Sequence, residues 1–152
     1  MKLTSPAFSQ GETIPSKYTC EGENNNPPLT ISDVPTGSQS LTLIMDDPDV
    51  PAYIRPDKMY DHWVIYNIPP DTHKIQEMAK PPGIEGKNTE GNASYTGPCP
   101  PDREHRYFFK LYALDKKLDL PRGATKKQVE EAMQGHVITK TELIGRYEKV
   151  NT

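Results

Sequence analysis

Apolar and polar residues alternate along much of this chain with a period of two, and the alternation is broken at short intervals by Pro, Gly, Asn and Asp. That is the pattern of strands joined by turns. Residues 29–32 alternate cleanly, as a half-buried strand does. Residues 40–45 (SLTLIM) hold more apolar side chains than alternation supplies, which predicts a strand lying centrally in a sheet. Residues 61–68 (DHWVIYNI) form another strand ending at Pro69-Pro70, with His62 expected on the face of Val64 and Tyr66. Residues 105–114 place His105, Tyr107, Phe109 and Leu111 on one face, and residues 137–147 read as a closing strand with Gly145 as a bulge.

Between these lie extended segments and a polar loop over residues 1–28, a turn at Thr36-Gly37-Ser38, a polar loop at 52–60, a long loop at 69–101 and a connector at 118–121. One convincing helix is predicted, over 125–134. Thr125 and Gln128 fit a capping box, Val129, Ala132 and Met133 form its apolar stripe, and Gly135 suits the position just past its end. The fold class is mainly β: a single domain on antiparallel sheets with one or two short peripheral helices.

Composition narrows this further. Sixteen prolines, about twice the usual share, rule out a helical bundle. A chain of 152 residues buries roughly 70% of its unfolded surface, enough for one core. The net charge of −3, with no run of Lys or Arg, gives nucleic acid nothing to hold. No stretch approaches a transmembrane segment and the amino terminus has no apolar leader core, so a cytoplasmic location is expected. Cys20 and Cys99 have no zinc-binding spacing. Two reduced thiols are the expected state, a disulfide across the fold the alternative.

Candidate chemistry gathers where rigid loops meet strands. Asp46-Asp47-Pro48-Asp49-Val50-Pro51 sets three carboxylates at the end of a buried strand. By itself the motif reads first as a turn, and second as a site in which prolines hold Asp47 and Asp49 in place. His62 alone reads first as a hydrogen-bonded core histidine. Gly97-Pro98-Cys99-Pro100-Pro101 is a stiff segment feeding a strand that begins with His105 and Tyr107. If these strand ends converge, they make a small pocket of two imidazoles, a phenol, carboxylates and loop amides, with donors suited to an anion. A cis X–Pro bond is expected at Val50–Pro51 or within 97–101.

The motifs DDPDVP, DHWVIYNIP and GPCPP followed by HRYFFKLYALD, in this order, resemble the phosphatidylethanolamine-binding protein family, also called Raf kinase inhibitor-like proteins. KYTCEGEN, GPCPP and the GHV…LIGRY ending resemble its bacterial and archaeal YbhB/YbcL branch. The resemblance runs from about Leu3 to Tyr147. It implies two antiparallel sheets with peripheral helices. It also implies an anion pocket mapping to Asp47, Asp49, Pro51, His62, Gly97, Pro98, Pro100, His105 and Tyr107, for phosphate, acetate or a phosphoethanolamine-like head group. Family members are also known as modulators of kinases or proteases.

Three readings follow. The first is a non-enzymatic binding module with no cofactor and no metal. The second is a phosphoester hydrolase using His62 or His105 as acid or base, or an Asp and two His as metal ligands. Against it, no Ser or Cys nucleophile is marked by a motif. The third is a protein that acts through an outer face, as a protease inhibitor or a homodimer.

Overall fold

The computed structural model describes residues 1–150. In chain order the strands are β1 (Lys2–Thr4), β2 (Leu29–Ser32), β3 (Ser40–Asp47), β4 (Tyr60–Ile68), β5 (Lys74–Ile75), β6 (Ile84–Glu85), β7 (His105–Leu114) and β8 (Val137–Tyr147). One helix, α1 (Lys126–Met133), precedes β8. They make two antiparallel sheets, a small one ordered β1-β2-β5 and a large one ordered β6-β4-β3-β7-β8.

β3 is the central strand that its apolar excess predicts. All eight of its residues are buried, because β4 and β7 flank it and both faces of the sheet are covered. Leu41, Leu43 and Met45 join Trp63 and Ile65 of β4 and Tyr107, Phe109 and Leu111 of β7 in one cluster. That cluster is closed from the other side by Leu3, Leu29, Ile31 and Ile75 of the small sheet. This is sheet-on-sheet packing, with alternate side chains of each strand meeting in the middle. Ile44, Val64, Tyr66 and Leu114 point the opposite way and pack under Val129 and Met133 of α1.

The helix begins as its capping box predicts: Gln128 N donates to Thr125 Oγ1 and Thr125 N donates to Gln128 Oε1. Two short strands, β5 and β6, lie within the stretch expected to be loop, being too brief to show a period of two. Gly145 is not a bulge. It lies opposite Tyr107 in unbroken register, and a Cβ there would come within 2.5 Å of Ile14 Cγ1, so the glycine admits the amino-terminal segment against β8.

Two other expectations are corrected. Cys20 and Cys99 form a disulfide, with Cα atoms 5.4 Å apart across 79 residues of chain. The Cys20 N–H donates to Pro98 O, so the fold itself brings the two loops together. No peptide bond among the described residues is cis. After β3 the tight turn is made by a side chain instead, Asp47 Oδ1 accepting from Asp49 N at 2.7 Å.

Candidate functional site

Antiparallel pairing puts the carboxyl end of β3 beside the amino ends of both β4 and β7: Asp47 pairs with Tyr60, and Asp46 lies opposite Phe108. Three motifs distant in sequence thereby share one end of the large sheet. At that end is a cavity of about 470 Å³ whose lining includes Asp47, His62, His105 and Tyr107. Its remaining walls come from Cys20 and Asn24, from Val50, Ile54 and Tyr60, from Glu90, and from the loop carrying Thr96, Gly97, Cys99, Pro100 and Pro101.

His62 reaches the cavity through a defect in the strand. Met45 pairs with Trp63 and Asp46 with Asp61, so β4 carries one extra residue against β3, and that residue is His62. A bulge of this kind reverses the alternation. It turns His62 away from the face of Val64 and Tyr66 and toward Tyr107, whose ring it meets edge-on at 5.3 Å. Unbroken alternation would have kept it on the Val64 face, as the sequence reading expected.

The His62 ring is buried, and its Nδ1–H donates to Thr96 O at 2.7 Å. Burial pushes its pKa down to about 4, so near neutral pH the ring is uncharged and Nε2 carries a lone pair with no protein partner among the described residues. Tyr107 is fully buried, and its hydroxyl lies beside the Asp47 carboxylate without making a well-formed hydrogen bond to protein. Burial, and then the charge of Asp47, raise its pKa far above the ordinary phenol value. His105 is engaged at both nitrogens, Nδ1 with Asp47 Oδ2 at 2.6 Å and Nε2 with Asp102 Oδ1 at 2.7 Å. Burial raises Asp47 above the ordinary carboxylate value despite the opposing hydrogen bond from His105. Tyr60 packs against His62 with the rings tilted and their centroids 4.7 Å apart, and its hydroxyl donates to Glu90 Oε1.

Chemically the cavity is mixed. No Lys or Arg lines it, one phenol offers a free donor, a neutral imidazole offers a free acceptor, and Asp47 and Glu90 are acidic. A ligand that matches it brings both acceptor oxygens and protons of its own. Among the described residues no group of three or more His, Cys, Asp or Glu is arranged to hold a metal ion.

Of the residues expected at the site, Asp47, His62, Gly97, Pro100, His105 and Tyr107 line the cavity, whereas Asp49, Pro51 and Pro98 do not. Asp49 turns outward because Arg106 holds it from three donors, its backbone N–H, Nε and one terminal nitrogen. That guanidinium pulls the Asp49 carboxyl below its ordinary value. Pro51 starts the following turn, its carbonyl accepting from Ile54 N and Arg55 N, and Pro98 receives Cys20 N. Gly97 shapes the wall but offers no free amide, since its N–H donates to Asn24 Oδ1. Its lack of a side chain is required: a Cβ would stand 2.2 Å from Tyr18 O.

Comparison with known proteins agrees with this architecture. The family model for phosphatidylethanolamine-binding protein matches residues 4–148. The chain belongs to the phosphatidylethanolamine-binding protein family. A relative from Chlamydia trachomatis named UPF0098 protein is 50% identical over 149 residues, covering 98% of this chain and 99% of that protein. A crystal structure of a putative phosphatidylethanolamine-binding protein homologue from Chlamydia trachomatis superposes with a TM-score of 0.95 at 50% identity, covering 97% of this chain and 96% of the other. The structure of E. coli YbcL, titled a new member of the mammalian family, does so with a TM-score of 0.87 at 30% identity, covering 97% and 98%. No helix among the described residues is long and apolar enough to cross a membrane.

Within this member of the family, sequence reasoning missed Asn24, Tyr60, Glu90 and Asp102. Tyr60 and Glu90 sit at a strand end or in a loop without any motif, and Asn24 closes the KYTCEGEN segment, whose likeness to the family branch did not mark it as a site residue. Asp102 had a faint signal, an acid three residues before His105 and directly after Pro100-Pro101.

Proposed function

We propose that the protein binds, without catalysis, a phosphoryl group that carries its own proton or ammonium: inorganic phosphate or a phosphoethanolamine-like head group. The observation that carries this reading is the Tyr107 hydroxyl, fully buried at the cavity beside Asp47 and without a well-formed hydrogen bond. An unpaired buried hydroxyl costs about 1–3 kcal/mol, and a ligand oxygen accepting from it would recover that cost. A protonated phosphoryl oxygen would donate to His62 Nε2, and an ammonium would suit Glu90 or Asp47. An aqueous dianion without protons suits this lining poorly.

Binding rather than hydrolysis is supported by the absence of a competent base. His105 has both nitrogens on carboxylates, a His62 with a pKa of about 4 is a weak proton acceptor, and Cys99 is in a disulfide. A kinase or protease partner would be reached, on this reading, through a phosphorylated group held in the same cavity.

A pocket with so few hydrogen bonds holds free phosphate at about the millimolar level, near −4 kcal/mol. Two-dimensional NMR titration with phosphate and O-phosphoethanolamine tests this. Shifts should centre on residues around Asp47, His62 and Tyr107, and Tyr107→Phe should weaken binding roughly tenfold. No shifts at tens of millimolar ligand would dismiss the reading.

A further inference from the structure

The cavity wall that runs from Thr96 to Pro101 is fastened in two different ways. Up to Pro98 it is tied to the loop of residues 18–24 by hydrogen bonds: the Tyr95 hydroxyl donates to Tyr18 O, Gly97 N to Asn24 Oδ1, and Cys20 N to Pro98 O. The two loops are packed to contact there, since a Cβ on Gly97 would meet Tyr18 O. Beyond Pro98 the ties change. Pro100 and Pro101 have no N–H to donate, and among the described residues no backbone hydrogen bond joins residues 99–101 to the body of the protein. They are fastened by the Cys20–Cys99 disulfide and by the packing of the buried Pro100.

That disulfide is both at the cavity and within reach of solvent. Cys20, Cys99, Pro100 and Pro101 all line the cavity, and both cysteine residues are exposed. The hydrogen bonds on the Pro98 side, and that from His62 Nδ1 to Thr96 O, involve no sulfur. Opening the bond therefore frees one section of wall and leaves the end of the large sheet in place.

We propose that the Cys20–Cys99 disulfide is a redox gate on the cavity, which binds its ligand tightly when the bond is closed and weakly when it is open. The inference rests on the phosphoryl-binding reading given above. A dithiol reductant supplies two electrons and two protons: the S–S bond breaks, Cys20 and Cys99 become thiols, and the reductant closes into its own disulfide. Thiols that are no longer bonded cannot stay at bonding distance, so Cys99 withdraws from Cys20 and takes the adjoining prolines with it. The wall must then be put back each time a ligand is held. Apparent affinity falls in proportion to the fraction of molecules whose wall is already in place.

Phosphate titrations by two-dimensional NMR test the gate on three samples: the oxidised protein, the protein reduced with dithiothreitol, and the Cys20→Ser, Cys99→Ser double variant. The oxidised protein should bind inorganic phosphate roughly tenfold more tightly than the reduced one. The double variant should match the reduced protein and ignore dithiothreitol, and reoxidation of the reduced protein should restore the tighter binding. Reduction should move the amide signals of Cys99, Asp102 and Arg103 and leave those of β3 in place. Equal affinities before and after reduction overturn the gate, as does a double variant that binds like the oxidised protein. A bond that dithiothreitol opens only in denaturant overturns it too, and so does a reduced protein whose β3 signals collapse, because the disulfide is then structural alone. An oxidised protein that ignores phosphate overturns the phosphoryl-binding reading itself, and the gate with it.

Discussion

Asp46 and Asp47 are neighbours in the chain, both buried, and they are held by opposite chemistries. Asp46 accepts from Lys110 at 3.0 Å and faces Lys126 at 2.8 Å, on the side of the sheet covered by α1. Lys126 also reaches Asp61, 3.3 Å away. Burial pulls the Lys126 ammonium down, yet the two carboxylates more than offset it, so its pKa ends above the ordinary value. Asp47 faces the cavity and meets an imidazole and a backbone amide. Permanent cations both hold Asp46 Oδ2 and brace the helix against the sheet, while Asp46 Oδ1 and the neighbouring Asp61 Oδ1 are left without a hydrogen bond among the described residues. On the cavity side the polar groups are imidazoles, phenols and carboxylates, and an unpartnered hydroxyl is left over. The lesson is that neither burial of a charge nor an unpaired polar atom is by itself a sign of function: the partner's chemistry, permanent cation or imidazole, and the cavity beside it separate the two faces.

The largest test breaks the structural face. Asp46→Ala removes the carboxylate that Lys110 and Lys126 share, leaving Lys126 only Asp61, and should cost roughly 3 kcal/mol in urea unfolding, with phosphate titration of the folded protein unchanged. A cost below about 1 kcal/mol would show that Asp46 does not brace the helix. The cavity side has a covalent counterpart. Replacing Cys20 and Cys99 by Ser together frees a loop of 79 residues, and should lower stability by roughly 3 kcal/mol, read as a shifted denaturant midpoint.

A pH series separates the faces next. His62 titrates at about 4 in the folded protein against 6.5 in the unfolded chain, so between those values the unfolded state binds a proton that the native state refuses. Stability therefore falls as pH drops through this window and does not respond to this group above it. Asp47 and Asp61, whose pKa values burial raises, take protons first in the native state and oppose the fall at its lower end. The net loss should be about 2 kcal/mol, and His62→Gln should remove the His62 part. An identical pH profile in that variant would refute the buried neutral imidazole. The smallest effect on stability should come from Tyr107→Phe, within about 1 kcal/mol, because it deletes an unpaired hydroxyl and keeps the ring. The same variant should show the loss of phosphate binding described above, and a large loss of stability instead would place Tyr107 with the structural residues.

Much of this was legible in the chain, and for a local reason. The apolar excess of residues 40–45 announced a central strand, the face shared by Tyr107, Phe109 and Leu111 became core, and Thr125 with Gln128 marked the helix start. Periodicity and capping depend on neighbours within a few residues, so they survive being read one residue at a time. The motif order likewise brought Asp47, His62, His105 and Tyr107 under suspicion together, as the cavity now brings them together in space.

What only the tertiary structure decided is set by register and by distant partners. One extra residue in β4 swings His62 from one face of the sheet to the other, and no local pattern records which residue a neighbouring strand skips. Arg106 claims Asp49, Asn24 claims the Gly97 amide, and Cys20 finds Cys99 across 79 residues of chain. Asp102 reaches His105 because the loop before β7 folds back onto the strand it feeds. Each of these is a competition for one hydrogen bond or one sulfur among groups that the fold alone makes neighbours. The sequence names the competitors, and the packing of the two sheets chooses between them.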